Sequence, residues 1–251
     1  MQRLCGRICL ITGASAGLGA YFARLALREG GRVVLGARRV ERVQALAEEL
    51  GAGKALAVAM DVTDEGSTIA AFDAAEAKFG PVDTVIANAG ASYPGRATET
   101  PFEELKAQFD TNLLGVYLTA REGAKRMMAA GCRTSGRGRI LLVGSMGADA
   151  PFPGGSAYCA SKAGVASLAR SLSAEWVRQG INVNVIQPGF ILTEMADDWF
   201  NSEAGKVQIA GFPRRRLQGI ESLNEPVVYF CSDASGGTTG AVLSIDDGQS
   251  L

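Results

Sequence analysis

Seven short apolar runs, separated by stretches with apolar residues at helical spacing, constrain this 251-residue chain more than any other feature. The runs are Ile8 to Ile11, Arg32 to Gly36, Lys54 to Met60, Thr84 to Ala87, Arg139 to Val143, Asn182 to Gln187 and Ala241 to Ile245. Helical patterns fall between them at Leu18 to Glu29, Arg39 to Leu50, Glu65 to Phe79, Phe102 to Ala130, Ser156 to Arg178 and near Leu223 to Cys231. Strands separated by helices need crossover connections, which build a mostly parallel sheet covered on both faces. The expected class is therefore α/β. Ligands of such sheets sit beyond the carboxyl ends of the strands, so chemistry is sought there.

With 47% hydrophobic and 20% charged residues, no linker-like tract and no repeat, residues 1–251 are expected to form one domain with a large core. A net charge of -1 offers no general attraction for nucleic acid or an anionic membrane, and neither is expected as a partner. The apolar run near the start is too short for a signal core or a membrane span, so a cytoplasmic location is expected. The basic triplet Arg214-Arg215-Arg216 reads as solvated surface. Five scattered cysteines, Cys5, Cys9, Cys132, Cys159 and Cys231, form no Cys-x-x-Cys pair and read as buried, inert thiols, with Cys159 set apart because it follows the candidate catalytic Tyr158. Histidine is absent altogether. That excludes histidine-based nucleophilic catalysis and histidine-ligated zinc, and no metal site is expected. Proton transfer near neutrality falls to a carboxylate, a thiol, or a Tyr or Lys of shifted pKa.

After the first strand, Thr12-Gly13-Ala14-Ser15-Ala16-Gly17-Leu18-Gly19 opens a helix. Glycines here allow a tight turn and let backbone N–H groups approach a pyrophosphate at the positive helix end. The spacing is Gly-x-x-x-Gly-x-Gly, which differs from Gly-x-Gly-x-x-Gly. In a chain with 32 glycines an ordinary turn is the alternative, and the strand-turn-helix context favours a nucleotide. Gly13, Ser15, Ala16, Gly17, Leu18 and Gly19 are the candidate contacts.

The second strand ends Gly36-Ala37-Arg38-Arg39, with two guanidinium groups and no carboxylate. An NAD site usually carries an acidic residue there for the ribose hydroxyls. Arginine's planar fork instead matches a 2′-phosphate, so Arg38 and Arg39 point to NADP(H). Solvated residues opening a helix are the alternative, although cations are disfavoured there unless an anion joins them. Asp61-Val62 after the third strand suits the adenine, and Asn88-Ala89-Gly90 after the fourth supplies small residues under a cofactor. Each alone would be a turn or a helix cap.

Tyr158 and Lys162 lie four apart, on one face of a helix. A phenol of pKa ~10 is a poor acid at neutrality, and a neighbouring ammonium is expected to lower it. Tyr-x-x-x-Lys is common by chance, but Ser145 ends the fifth strand, where its hydroxyl can hold a substrate oxygen beside the phenol.

With these residues together, the chain resembles the short-chain dehydrogenase/reductases over essentially its whole length. The Thr-Gly-x-x-x-Gly-x-Gly turn, Asn88-Ala89-Gly90, Ser145, Tyr158-x-x-x-Lys162 and Pro188-Gly189 occur in that family's order. The resemblance implies a Rossmann-like three-layer sandwich with a mostly parallel seven-stranded sheet. It implies carbonyl–alcohol interconversion with Tyr158 as acid/base. Lys162 would lower the tyrosine pKa and bind the nicotinamide ribose, while Ser145 would orient the substrate oxygen. Asn112 would kink the long helix and hold a proton-relay water. Pro188, Gly189, Ile191 and Thr193 would cover the nicotinamide and pyrophosphate. A homotetramer through the helices Phe102 to Ala130 and Ser156 to Arg178 is also implied.

The departures are local. Ala87 replaces the first Asn of Asn-Asn-Ala-Gly. Ala16 stands where many NADP-dependent members carry a basic residue, which leaves the phosphate to Arg38 and Arg39. Gly131 to Gly138 is longer than usual and is expected to be a surface loop. Asp246-Asp247-Gly248 replaces Asp-Gly-Gly, placing a charge where family tetramers make contacts. The segment Leu192 to Phe212 is expected to cover the substrate with Met195, Ala196, Trp199, Phe200 and Ile209, joined by Phe152 and Phe190. That wall suits a hydrophobic ketone or secondary alcohol, with packing in the core or an oligomer interface as the alternative. The rival functions are a 3-oxoacyl-[acyl-carrier-protein] reductase, which would need a basic docking patch, and a non-catalytic NADP-binding regulatory protein.

Overall fold

The structure, a computed structural model, describes residues 2–51, 53–192 and 197–251. Seven strands form one sheet: β1 Ile8–Thr12, β2 Arg32–Ala37, β3 Ala55–Ala59, β4 Thr84–Ala87, β5 Gly138–Val143, β6 Ile181–Pro188 and β7 Val242–Ile245. Their order is β3-β2-β1-β4-β5-β6-β7, and every neighbouring pair is parallel. β1, β4, β5 and β6 are buried at every position; β1 and β4 accordingly read as apolar runs, whereas Arg139 in β5 and Asn182 and Asn184 in β6 are buried with their side chains bonded to carbonyls.

The helices are α1 Gly17–Arg28, α2 Val40–Leu50, α3 Glu65–Phe79, α4 Phe102–Phe109, α5 Gly115–Ala129, α6 Cys132–Ser135, α7 Ser156–Trp176, α8 Asp197–Asn201, α9 Glu203–Gly211 and α10 Asn224–Cys231. They cover both faces. On one face Phe22, Leu25, Val43, Leu46, Val227 and Phe230 pack from α1, α2 and α10. On the other, Phe72, Ala75, Val116, Ala120, Val165 and Leu172 pack from α3, α5 and α7. The sandwich expected from the alternating pattern is what forms.

The stretch Phe102 to Ala130 is interrupted at Asn112, as the resemblance implied: a π-helical turn, Asp110–Leu114, separates α4 from α5. One expectation changes in detail. The stretch Gly131 to Gly138 is not wholly a surface loop. Gly131 and Gly136, both left-handed, bracket the single turn α6, and Cys132 is buried with its thiol donating to Gln179 O at 2.8 Å. Of the five thiols only Cys5 is exposed.

The strand order reverses at β1, which has β2 on one side and β4 on the other. The glycine turn leaves the carboxyl end of β1 and Asn88-Ala89-Gly90 leaves that of β4, so both open onto the crevice where such sheets bind ligands.

Candidate active site

The crevice is built by close backbone approach. Thr12 Oγ1 accepts the N–H groups of Asn88 and Ala89, each at 3.0 Å, and Asn88 Nδ2 donates to Thr12 O at 2.9 Å. These bonds lock the ends of β1 and β4 together. Gly13 has φ +67, and a Cβ there would lie 2.9 Å from Ala89 Cα. At Gly19 a Cβ would collide with Gly13 O and come within 2.7 Å of Asn88 Nδ2. A side chain at either position would fill the cradle. Ala16 caps α1 without a side-chain hydrogen bond, so the first-turn N–H groups of the helix keep their capacity to donate to an anion.

The end of β2 joins this cradle, with Arg39 Nε donating to Ser15 Oγ at 3.1 Å and Arg38 exposed beside it. Burial pushes the Asp61 carboxyl up, but its two bonds from Thr63 and the charge of Arg38 outweigh this and hold it below the usual range. Val62 fills the space left by Gly115, where a Cβ would approach Val62 Cγ2 to 2.6 Å. Arginines, serine hydroxyl and bare helix terminus together suit an anionic dinucleotide.

β5 delivers Val143 and then Ser145, whose Oγ accepts Gly147 N at 3.1 Å. α7 brings Tyr158 and Lys162 to the same place, one turn apart. Lys162 is 4% exposed, and its ammonium donates to Val143 O at 2.8 Å and faces the Tyr158 ring at 5.8 Å from the centroid. Burial lowers its pKa to about 8. Burial also pushes the Tyr158 phenol up, with a hydrogen bond to Ser145 pulling the other way and Cys159 adding to the rise. The expected lowering of the phenol is thus reversed. Desolvation outweighs the hydrogen bond to Ser145, while the ammonium is directed at Val143 O.

Asn112 is fully buried in the π turn. Its Oδ1 accepts Ala91 N at 2.7 Å, and its Nδ2 donates to Ala91 O at 2.9 Å and to Ser161 Oγ at 3.1 Å. Ser161 Oγ in turn donates to Tyr158 O at 2.7 Å. The asparagine therefore ties the loop after β4 to the helix that carries Tyr158 and Lys162. Both amide protons are committed to protein acceptors. An ideal Cβ at Gly90 would stand 3.5 Å from Asn112 Oδ1 and 3.6 Å from Lys162 Nζ, so Gly90 lies against both.

The loop after β6 closes the far side. Gly189 N donates to Gln218 Oε1 at 2.9 Å and to Ile245 O at 3.0 Å, and Phe190 N donates to Gln249 Oε1 at 2.6 Å. Phe190 centres an aromatic wall, with ring centroids at 5.5 Å from Phe152, 5.5 Å from Phe200 and 5.6 Å from Phe212. Phe152 continues the wall to Tyr158 at 6.3 Å. The Ile191 side chain is buried in the core on the α1 face. Trp199 is 52% exposed, with its indole N–H donated to Gln208, and Phe212 lies against Phe190 instead. Thr193, Met195 and Ala196 lie outside the described residues.

Sequence reasoning missed Thr12 as the clamp between β1 and β4, Ser161 as the link from Asn112 to Tyr158, and the glutamines Gln218 and Gln249. Thr12 stands inside the recognised turn. The glutamines act on residues far away in the chain and carry no local signal. The triplet Arg214 to Arg216 is exposed as expected, but two of its members pair with Asp247.

The family model described as short chain dehydrogenase matches residues 7–204. The chain belongs to the short-chain dehydrogenase/reductases. It is 33% identical over 251 residues to D-threitol dehydrogenase of Mycolicibacterium smegmatis, covering 99% of this chain and 95% of that one. It is 34% identical over 249 residues to cis-4-hydroxycyclohexanecarboxylate dehydrogenase of Sinomonas cyclohexanicum, covering 96% of each. Among solved structures it is similar to 3-ketoacyl-(acyl-carrier-protein) reductase from Brucella melitensis complexed with NADH. The TM-score is 0.90 and the identity 32%, over 99% of this chain and 100% of that one. The chain is thus an oxidoreductase acting on CH–OH groups, and the family binds a nicotinamide cofactor. Among the described residues no helix is long and apolar enough to cross a membrane.

Proposed function

We propose that this short-chain dehydrogenase interconverts a hydrophobic ketone and the corresponding secondary alcohol with NADP(H). One observation carries the reading: a continuous aromatic wall, Phe212, Phe190 and Phe152, ends on Tyr158, where Ser145 and Lys162 converge. Apolar substrate gains from burial against such rings, whereas a polyol would leave its hydroxyls without partners there.

The glycine turn, Ser15, Arg38 and Arg39 would hold the adenosine phosphates, with Asp61 and Val62 beside the adenine. Asn88, Ala89 and Gly90, with Pro188, Gly189 and the main chain at Ile191, would enclose the rest, and Thr193 belongs to the same proposal. When bound, the nicotinamide supplies the hydride for reduction and accepts it in oxidation. Ser145 Oγ donates to the substrate carbonyl oxygen and fixes it beside Tyr158. Tyr158 Oη gives its proton to that oxygen in reduction and takes it back in oxidation. Lys162 stabilises the resulting phenolate with its ammonium and, at about 8, is itself able to return a proton near neutrality. Asn112 holds the floor loop against α7 so that these atoms stay in register.

A thioester on acyl carrier protein is the alternative raised by the Brucella relative. The aromatic wall favours a compact apolar substrate over it. Cytoplasmic residence and a homotetramer through α4, α5 and α7 complete the proposal. The exposed apolar residues Phe102, Leu114 and Tyr117 along α4, the π turn and α5 support the pairing of these helices.

The test titrates NADPH and NADH by fluorescence, then follows cofactor oxidation with aryl and aliphatic ketones. NADPH is expected to bind more tightly, and Arg38→Ala to weaken it about 10- to 100-fold without affecting NADH, since hydrogen bonds to charged groups are at stake. Tyr158→Phe is expected to keep cofactor affinity and lose about 10²- to 10⁴-fold in turnover. Equal binding of the two cofactors would sink the NADP assignment. Binding without turnover of any ketone would favour the regulatory-protein reading.

A further inference from the structure

The turn at the C-terminal end carries a charge that the site described above does not use. Asp247 has φ +56, in the left-handed region that glycine enters freely and other residues enter at a cost. Asp247 and Arg215, at φ +50, are the non-glycine residues with positive φ among the described residues. They flank one ion-pair cluster. Arg214 Nη1 reaches Asp247 Oδ1 at 3.1 Å and Arg216 Nε reaches Oδ2 at 2.9 Å, so both carboxylate oxygens are engaged from one arginine run. Strain held on both sides of a contact indicates that the contact, and not the backbone, selects the residues.

The cluster sits at the root of the aromatic wall. Phe212, two residues before Arg214, stacks on Phe190 with an interplanar angle of 16°. Gln249, two residues after Asp247, accepts Phe190 N at 2.6 Å and donates to Phe190 O at 3.3 Å and Arg216 O at 3.4 Å. The same short turn therefore holds Phe190 through its main chain and Phe212 through the arginines that follow it. Asp246 stiffens the turn by accepting Gly248 N and Ser250 N.

We propose that Asp247 is a positioning residue for substrate binding, its two ion pairs setting the Phe190–Phe212 stack that forms the apolar wall. This rests on the reading that the wall receives the substrate. Asp247→Asn keeps the shape and tolerates the left-handed backbone but removes the charge. Asp247→Gly removes the charge and relieves the backbone. Arg214→Gln combined with Arg216→Gln removes the other side.

All three variants are expected to raise KM for an aryl alkyl ketone about three- to fivefold, with kcat within about twofold, because exposed ion pairs are individually modest. NADPH affinity stays unchanged, and adding Asp247→Asn to the double arginine variant brings no further rise. Raising salt from about 0.05 to 0.5 M increases KM of the wild-type protein but not of the variants. Without any ketone, amide exchange across residues 203–212 accelerates in Asp247→Asn. The inference is overturned by an Asp247→Gly variant with wild-type KM, by additive effects of the two sides, or by NADPH affinity or assembly state falling in step with KM. Faster exchange in a protein that turns over no ketone would sink the functional reading and keep the positioning role. Ketone turnover with KM and exchange both unmoved would sink the positioning role alone.

Discussion

Replacing Lys162 by methionine should make the protein more stable and inactive. The ammonium is buried, has one hydrogen-bond acceptor among the described residues, Val143 O, and is lowered from an ordinary 10.5 to about 8. Each tenfold change in proton affinity is worth about 1.4 kcal/mol, so burial of the charged form costs about 3 kcal/mol. Methionine fills similar volume without charge but leaves Val143 O unpaired, which takes back about 1 kcal/mol. The net gain at pH 7 is about 2 kcal/mol, or about 4 to 8 °C in Tm for a chain of this size.

The pH dependence identifies the cause. Below pH 8 the wild-type lysine is protonated in both folded and unfolded states, so its burial penalty is fully present. Between about 8 and 10.5 the folded state releases the proton while the unfolded state keeps it, and wild-type stability rises relative to the variant. Thermal or urea unfolding of the two cofactor-free proteins should therefore diverge at pH 7 and converge by about pH 10.5. A variant less stable than wild type at pH 7 would refute the reasoning. So would a stability difference that stays constant across that window.

Two further changes test the cradle and the wall. Gly19→Ala places a methyl against Gly13 O and Asn88 Nδ2. Overpacking should cost about 1 to 3 kcal/mol in unfolding experiments and lower NADPH affinity at least about tenfold, and an unaltered Kd would show the cradle to be irrelevant. Phe152→Ala removes the ring between Tyr158 and Phe190, and aromatic pairs contribute about 0.5 to 1.5 kcal/mol each. The kcat/KM for an aryl ketone should fall about tenfold and that for acetone less than about twofold, whereas equal losses for both would mean that Phe152 supports the fold rather than the substrate.

The parallel sheet was legible because its central strands are buried on both faces and are mostly apolar, with helical patterns between them. The residues at the strand ends were legible because their spacing is local: Ser145, Tyr158 and Lys162 follow from one strand end and one helical turn. The interruption at Asn112 was legible only through the family resemblance. Asp110 to Leu114 looks helical by pattern, and only bonds to Ala91 and Ser161, reached across the fold, show what the widened turn accommodates. Gln249 acts on Phe190, 59 positions away, and no local pattern could show this. The direction of the tyrosine pKa was misread for a related reason. The i, i+4 spacing reveals the neighbouring charge, while desolvation depends on everything packed around the pair.

The buried cations divide the molecule into a part that is structural and a part that is functional. Arg7 and Arg139 lie at the amino ends of the strands and are 1% and 2% exposed. Arg7 donates to Thr84 Oγ1, Arg137 O and Asp233 Oδ1, the last at 2.5 Å, and among the described residues leaves only Nε without a partner. Arg139 donates to the carbonyls of Ser232, Gly136 and Gly138. Their hydrogen-bonding capacity is largely absorbed by the protein, which is how a buried charge is retained for structure. Lys162, at the carboxyl ends, has three protons to donate and among the described residues spends one on Val143 O. A cation left with unused donors beside a tyrosine and a serine is poorly explained by stability, which it lowers. It fits the proposed chemistry, in which a ribose hydroxyl and the phenolate would accept its remaining hydrogen bonds.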